Sequence, residues 1–362
     1  MRSFIYDALP GRVVFGVGAS RSLLRTEIER LNVRRVLLIA TERERARADE
    51  LAQPFNDRLV GVFSDVKPHV PVKVVQAARE AARRLDADGL LCIGGGSAIG
   101  TAKAIALDVE LPIVAVPTTY AGSEMTPIYG LTSGQRKQTG RSLAVLPKVV
   151  IYDPELTCSL SPSTTGPSAM NAMAHCVEAF YAPGASPVTS LLAEEGIRAL
   201  ARGVPMAVSS PDDLEGRTET LYGAYVAAAA LAVTGTGLHH KICHVLGGAY
   251  DLPHAETHTV VLPHVVAFNQ PAIPEIMRRV ARALGEDAIG KGAAAALYDL
   301  ATTIKAPTAL KDIGMQERHL DEAVSLVLEQ APKNNPRPVD EAGVRAILEA
   351  AYTGRRPVAS DR

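Results

Sequence analysis

Two observations in the sequence predict the fold class, an α/β N-terminal domain built on a parallel sheet followed by an all-helical C-terminal domain. Up to about residue 154, short apolar runs rich in branched side chains alternate with helical stretches. Beyond that point strand-like runs become rare and Ala-rich helical segments take over.

The elements follow in order. RVVFG, RRVLLIAT, RLVGVFS, GLLCIGGGS, PIVAVPTT and KVVIYDP each hold a buried strand of about four to six residues. Between several of them lie SRSLLRTEIERL, ERERARADELAQPF, VKVVQAAREAARRL and SAIGTAKAIAL, whose apolar residues recur at three- and four-residue spacing, as in amphipathic helices. Strand and helix in alternation argue for a doubly wound parallel sheet. LTCSLSPSTTGPSAM then breaks the pattern. After it come helical segments beginning at PSAMNAMAHCVEAFY, SLLAEEGIRALARGV, RTETLYGAYVAAAALAV, PEIMRRVARALG, GKGAAAALYDLATTI, LDEAVSLVLEQA and EAGVRAILEAAY. The expected domains are 1–158 and 159–362, meeting in a cleft where a ligand binds.

Composition narrows the function. With 47% hydrophobic and 21% charged residues there is ample material for a packed core. The 38 Lys plus Arg and 39 Asp plus Glu nearly cancel and Trp is absent, which argues against a nucleic-acid partner. No apolar stretch approaches the ~20 residues that span a bilayer, so no membrane partner is expected. MRSFIYDALPGRVVFG lacks the charged, apolar and cleavage regions of a signal peptide, and the four cysteines show no CxxC pairing. The expected compartment is a reducing cytoplasm.

LLCIGGGSAIGTAKAIAL reads as strand, glycine turn and helix. Gly94, Gly95 and Gly96 would let the backbone approach a pyrophosphate, which the helix N-terminus attracts; Ser97 could cap that helix or bond the phosphate. The turn is neither the GxGxxG fingerprint nor a Walker motif. In a parallel sheet, Thr118, Thr119 and Ser123 of IVAVPTTYAGSE would open on the same carboxyl edge. Glu42, just past an earlier strand, could accept hydrogen bonds from an adenosine ribose. Arg43 and Arg45 beside it could tolerate a 2′-phosphate, so NADH and NADPH both stay open.

Six of the nine histidines (His239, His240, His244, His254, His258 and His264) fall within 26 residues, where random placement would put about 0.65. Asn171 and His175 are four apart, as are His240 and His244, so each pair shares a helix face. His254 follows YDLP and reads as part of a turn. Two helices and a turn would thus aim one amide and several imidazoles at one point, for metal ligation or for acid–base work. His258 and His264 could equally be structural, and His69 and His319 carry no assignment.

Together, ALPGRVVFG, GGGSAIGTAKAIA, PTTYAGSEMTPIYGLT, VIYDPELT, NAMAHCVEAFY, GLHHKICHVLGGAYDLPHAETHTVVLPHV and NPRPV resemble the iron-containing, group III alcohol dehydrogenase superfamily, and most closely its maleylacetate reductase branch. The resemblance implies a dehydroquinate synthase-like architecture, an N-terminal dinucleotide-binding domain, a helical catalytic domain and a homodimer. Metal-dependent members carry Asp, His, His, His; here Asn171, His175, His240 and His254 stand at those positions. Gly100 replaces the Asp of GGGSxxDxAK, and PTTYAGSE is one residue shorter than PTTAGTGSE. These departures resemble the reductase branch, so no metal is expected to be required; were one bound, His175, His240 and His254 would hold it.

The implied reaction is NADH- or NADPH-dependent reduction of the carbon–carbon double bond of the dianion maleylacetate to 3-oxoadipate, in aromatic compound degradation. It needs a proton donor, stabilisation of an enolate and cations for two carboxylates. The candidates are His244 and His254 for acid and stabiliser, supported by His175 and His240, with Lys241 and Arg337 for the carboxylates. Asn171 could donate a hydrogen bond to an anion that Asp would repel, and Lys137 lies where the superfamily often meets its cofactor. The competing expectation is a metal-dependent alcohol or polyol dehydrogenase that reduces a carbonyl.

Overall fold

The computed structural model, which describes residues 3–68, 70–133, 136–286 and 292–358, contains strands β1 (Arg12–Phe15), β2 (Val36–Ile39), β3 (Leu59–Phe63), β4 (Gly89–Gly94), β5 (Ile113–Pro117), β6 (Ile128–Ser133), β7 (Arg136–Arg141) and β8 (Val149–Tyr152). The six apolar runs of the sequence form one parallel sheet in the order β1-β8-β5-β4-β2-β3. The central strands β2, β4 and β5 are buried along their whole length, which is why they read as unbroken apolar runs. Helices α1 (Ala19–Arg30), α2 (Arg45–Ala52), α3 (Val72–Arg84) and α4 (Gly96–Val109) complete the crossovers. The chain steps from β2 outward to β3, but from β4 the opposite way to β5. The carboxyl ends of β2 and β4 therefore flank a topological switch point, where open α/β sheets take their ligands.

β6 and β7 pair as an antiparallel hairpin outside that sheet. Their polar, weakly alternating sequence gives no apolar face to read, so the sequence does not announce them.

The remaining helices are α5 (Pro162–Ala179), α6 (Pro187–Ser209), α7 (Leu214–Thr234), α8 (Leu238–Tyr250), α9 (His254–Asn269), α10 (Pro274–Ala283), α11 (Ala293–Thr303), α12 (Leu320–Gln330) and α13 (Glu341–Thr353). Several starts differ from expectation; α7, for one, begins at Leu214, three residues ahead of RTETL, behind the cap Asp213. α5 starts at Pro162, five residues ahead of PSAM, because Ser161 caps it by accepting from the Thr164 N–H (3.2 Å) and Pro162 suits the first helical position. α6 starts at Pro187, ahead of SLLAEEG, behind a capping box between Ser186 and Thr189. His254 is not in a turn but opens α9; Pro253 stands just before it, and Asp251 in the left-handed region ends α8.

Residues 8–159 make one compact unit, and the helices from Leu160 onward make the other. Residues 3–7, expected with the α/β domain, go with the helices; β1 begins only at Arg12. No single helix among the described residues is long and apolar enough to cross a membrane. Cys92, Cys158, Cys176 and Cys243 form no disulfide with one another.

Candidate active site

In the α/β unit, β4 and β5 pair with Gly94 opposite Pro117, and the Thr118 N–H donates to the Gly94 carbonyl (3.2 Å). The glycine turn and Thr118–Thr119 thus lie side by side on the carboxyl edge, as the sequence implied. A Cβ on Gly95 would stand 2.9 Å from Thr119 Cγ2, so the contact of the two loops requires glycine there. Gly95 is also the N-cap of α4. Ser97, expected as a possible cap, lies inside the first turn; the helix starts one residue earlier, leaving its first N–H groups for a ligand. Glu42 is exposed just past β2, across the switch point from the glycines. Of the two arginines near it, Arg45 pairs with Asp49 (2.9 Å), and Arg43 is exposed.

The loop after β5 is held from below. Lys103 of α4 is buried and donates from Nζ to the carbonyls of Ser123 (2.6 Å), Thr126 (2.7 Å) and Ile128 (2.8 Å). Burial pushes its pKa down to about 7. Ser123, expected to face a nucleotide, offers its carbonyl to this anchor. Glu124 beside it is buried, accepts from the Tyr152 hydroxyl (2.8 Å), and is pushed up by burial. Lys137 lies in β7, and its side chain is outside the described residues, as is all of His69.

In the helical unit, α5, α8 and α9 bring Asn171, His175, His239, His240, His244, His254 and His258 together in two tiers. His175, His239, His240, His258 and Asn171 are buried, whereas His244 and His254 are exposed. In the buried tier His240 stacks on His175 (centroids 5.0 Å, 21°) and meets His258 at 4.6 Å. His239 Nε2 and His258 Nδ1 share a hydrogen bond of 3.0 Å. In the outer tier the rings of His244 and His254 are nearly parallel at 6.3 Å, and His254 touches His258 at 4.4 Å. Burial first, then the neighbouring rings, holds His175, His239 and His258 well below the usual imidazole value. Those three rings are therefore neutral at pH 7.

The sequence reading missed three members. His239 and His258 were legible only as part of the histidine excess. Glu178, one turn past His175 on α5, carried no signal of its own. It is buried and accepts from the N–H groups of Gly237 (2.8 Å) and His239 (2.7 Å) and from His240 Nδ1 (2.6 Å).

The candidate carboxylate binders fare differently. Lys241 is half-buried on α8, three residues before His244, and thus on a neighbouring face of the outer tier. Arg337 is not brought to the cluster. Its guanidinium lies over the Phe268 ring (4.4 Å) and donates to the Phe268 carbonyl (3.2 Å). Phe268 is 14 residues beyond His254 on α9, roughly 20 Å along the helix. His264, likewise far along α9, is buried, pushed down to about 4 by burial and by Arg355. His319 stacks on Tyr250 (4.6 Å) at a distance from this chemistry. A cavity of about 950 Å³ lies at the start of α5 and the end of α11; Glu256 and Lys305 line it, but no imidazole does.

As a metal centre, the donor set does not fit the one the sequence resemblance implies. Asn171 offers a neutral amide whose buried Oδ1 has no partner among the described residues. The one carboxylate in contact with the rings, Glu178, has both oxygens committed. Among the described residues, the imidazoles whose donor atoms lie within 4.8 Å of one another are His239, His240 and His258, not His175, His240 and His254, and His239 and His258 are hydrogen-bonded to each other.

Comparison with known proteins gives the family. Residues 10–154 match the iron-containing alcohol dehydrogenase family, and residues 165–352 match its C-terminal part. The maleylacetate reductases of Sphingobium indicum and Burkholderia cepacia are each 46% identical, over 98% and 99% of this chain and 99% and 100% of their own. The crystal structure of maleylacetate reductase from Agrobacterium tumefaciens superposes with a TM-score of 0.94 at 41% identity, covering 99% of this chain and 100% of that one. The chain belongs to the iron-containing alcohol dehydrogenase family, on its maleylacetate reductase branch.

Proposed function

We propose that this protein uses NADH or NADPH to reduce the carbon–carbon double bond of maleylacetate, giving 3-oxoadipate. The observation that carries the reading is the two-tier cluster: exposed His244 and His254 over buried imidazoles, with an amide at 171 in place of a carboxylate. The reduced nicotinamide supplies a hydride to the alkene carbon β to the ketone. The alkene electron pair then moves to the ketone oxygen as an enolate. His254 or His244, as imidazolium, donates a proton to the carbon α to the ketone, and the enolate pair collapses into the new C–H bond. The other ring of the pair hydrogen-bonds the oxygen while charge is on it. Lys241 supplies positive charge for a substrate carboxylate. A neutral Asn171 adds no repulsion toward a dianion.

This chemistry asks for proton donors and hydrogen bonds, which the imidazoles provide, so no resident metal is required. Gly95, Gly96 and the N-terminus of α4 would hold the pyrophosphate, and Glu42, exposed past β2, would hold the adenosine ribose. The working form is proposed as a homodimer in the cytoplasm. Reduction of maleylacetate with cofactor deuterated at nicotinamide C4 tests the reading. Deuterium on the carbon β to the ketone is expected; deuterium on a carbinol carbon, or turnover only with short aldehydes or dihydroxyacetone, contradicts it.

A further inference from the structure

We propose that Glu178 is a positioning residue that holds His240 as the Nδ1–H tautomer, so that its Nε2 lone pair faces the interior of the histidine cluster. Glu178 follows Asn171 by seven residues and His175 by three, so one face of α5 delivers all three. Its two oxygens already accept main-chain N–H groups, Oε2 from Gly237 and Oε1 from His239. With donors converging on both oxygens the side chain is placed as an acceptor, so the third contact, 2.6 Å to His240 Nδ1, is donated by the imidazole. The opposite tautomer would set a nitrogen lone pair against that carboxylate.

The surroundings make the arrangement specific. Gly237 and Leu238 open α8, and no side chain of α8 itself caps it; the Glu178 carboxylate satisfies its N-terminal N–H groups from α5. A Cβ at Gly237 would stand 2.9 Å from Glu178 Oε1, so the close approach depends on glycine. One carboxylate thus ties α5 to the first turn of α8 and keeps His175 and His240 stacked. On the far side of the ring, His240 Nε2 is buried with no partner among the described residues, amid His175, His258 and, edge-on at 6.0 Å, His244. A fixed acceptor at that point sets which nitrogen of the adjoining rings carries hydrogen, and so which side of the outer pair donates. The catalytic consequence rests on the imidazole-based reaction proposed above; the tautomer itself does not.

Ring-nitrogen NMR of protein labelled with ¹⁵N-histidine, with His240 assigned by its loss in His240→Gln, reads the tautomer directly. In the wild type His240 is expected to carry hydrogen on Nδ1 only. In Glu178→Gln one of the two oxygen positions becomes an NH₂ group, so the side chain can no longer accept at both; its hold on the Nδ1–H form weakens, and a fraction of His240 should carry its hydrogen on Nε2. Glu178→Asp keeps a carboxylate and should keep the wild-type tautomer. Turnover of maleylacetate should fall about 10- to 100-fold in Glu178→Gln, with NADH affinity changed less than about threefold, and recover in large part in Glu178→Asp. Wild-type His240 with hydrogen on Nε2, or a Glu178→Gln protein with unchanged turnover, overturns the proposal. Should Glu178→Gln not fold, the wild-type spectrum decides alone. The Nδ1–H tautomer in a protein that leaves maleylacetate unreduced supports the positioning and contradicts the reaction.

Discussion

At the residue scale, burial sorts the histidines by task. Solvent can reach His244 and His254, so a substrate can too; His175, His239 and His258 are neutral and enclosed, fit to orient and not to meet a ligand first. His254→Ala should therefore lower kcat by at least about 100-fold, the scale of a lost general acid. NADH affinity, measured by fluorescence titration, should stay within about threefold, since the glycine turn belongs to α4 and not to α9. Equal losses in both would argue that His254 supports the cofactor and not the chemistry. The sequence singled out this pair because imidazoles gathered without a packing reason ask for a functional one. It misplaced Arg337 because an arginine near the chain end reveals nothing of its partner: here the Phe268 ring and carbonyl take the guanidinium.

At the element scale, the sheet was legible strand by strand because parallel strands covered on both faces must be apolar throughout, and Val, Ile and Leu runs record that directly. The hairpin β6–β7 left no such record. The start of α5 was hidden in a Ser, Thr and Pro stretch that resembles a loop until Ser161 is seen as a cap. Glu178 was illegible for another reason: a glutamate in a helix is ordinary, and only the arrival of α8 at its carboxylate gives it work. The glycine turn makes a prediction at this scale. Gly95→Ala drives a methyl against Thr119 and should lower unfolding free energy by about 1–3 kcal/mol in urea denaturation, as overpacking does. It should also weaken NADH binding, because Gly95 and Thr119 bound the same edge. Unchanged stability and affinity would show that the turn tolerates a side chain and does not hold the cofactor.

At the scale of the whole molecule, the enclosed histidines tie stability to pH. His175, His239, His258 and His264 have lower pKa values folded than the ~6.5 of the unfolded chain. As pH falls below about 6.5, the unfolded chain takes up protons that the native fold refuses, so their contribution is complete above that pH and is lost below it. The loss approaches about 1.4 kcal/mol per pH unit for each group. Glu124, pushed up by burial, works the other way, but it is one group against four. The urea midpoint should fall clearly between pH 7 and pH 5; a midpoint that is flat or rises would show that these rings accept protons in the native state. The central claim is that a fold shared with iron-containing dehydrogenases here reduces an alkene with imidazoles. The most direct test is the steady-state oxidation of NADH by maleylacetate, on protein whose metal content is measured before and after exhaustive treatment with EDTA. The account predicts undiminished turnover at a metal content far below one per chain; loss of turnover in step with the metal, restored by adding it back, would contradict it.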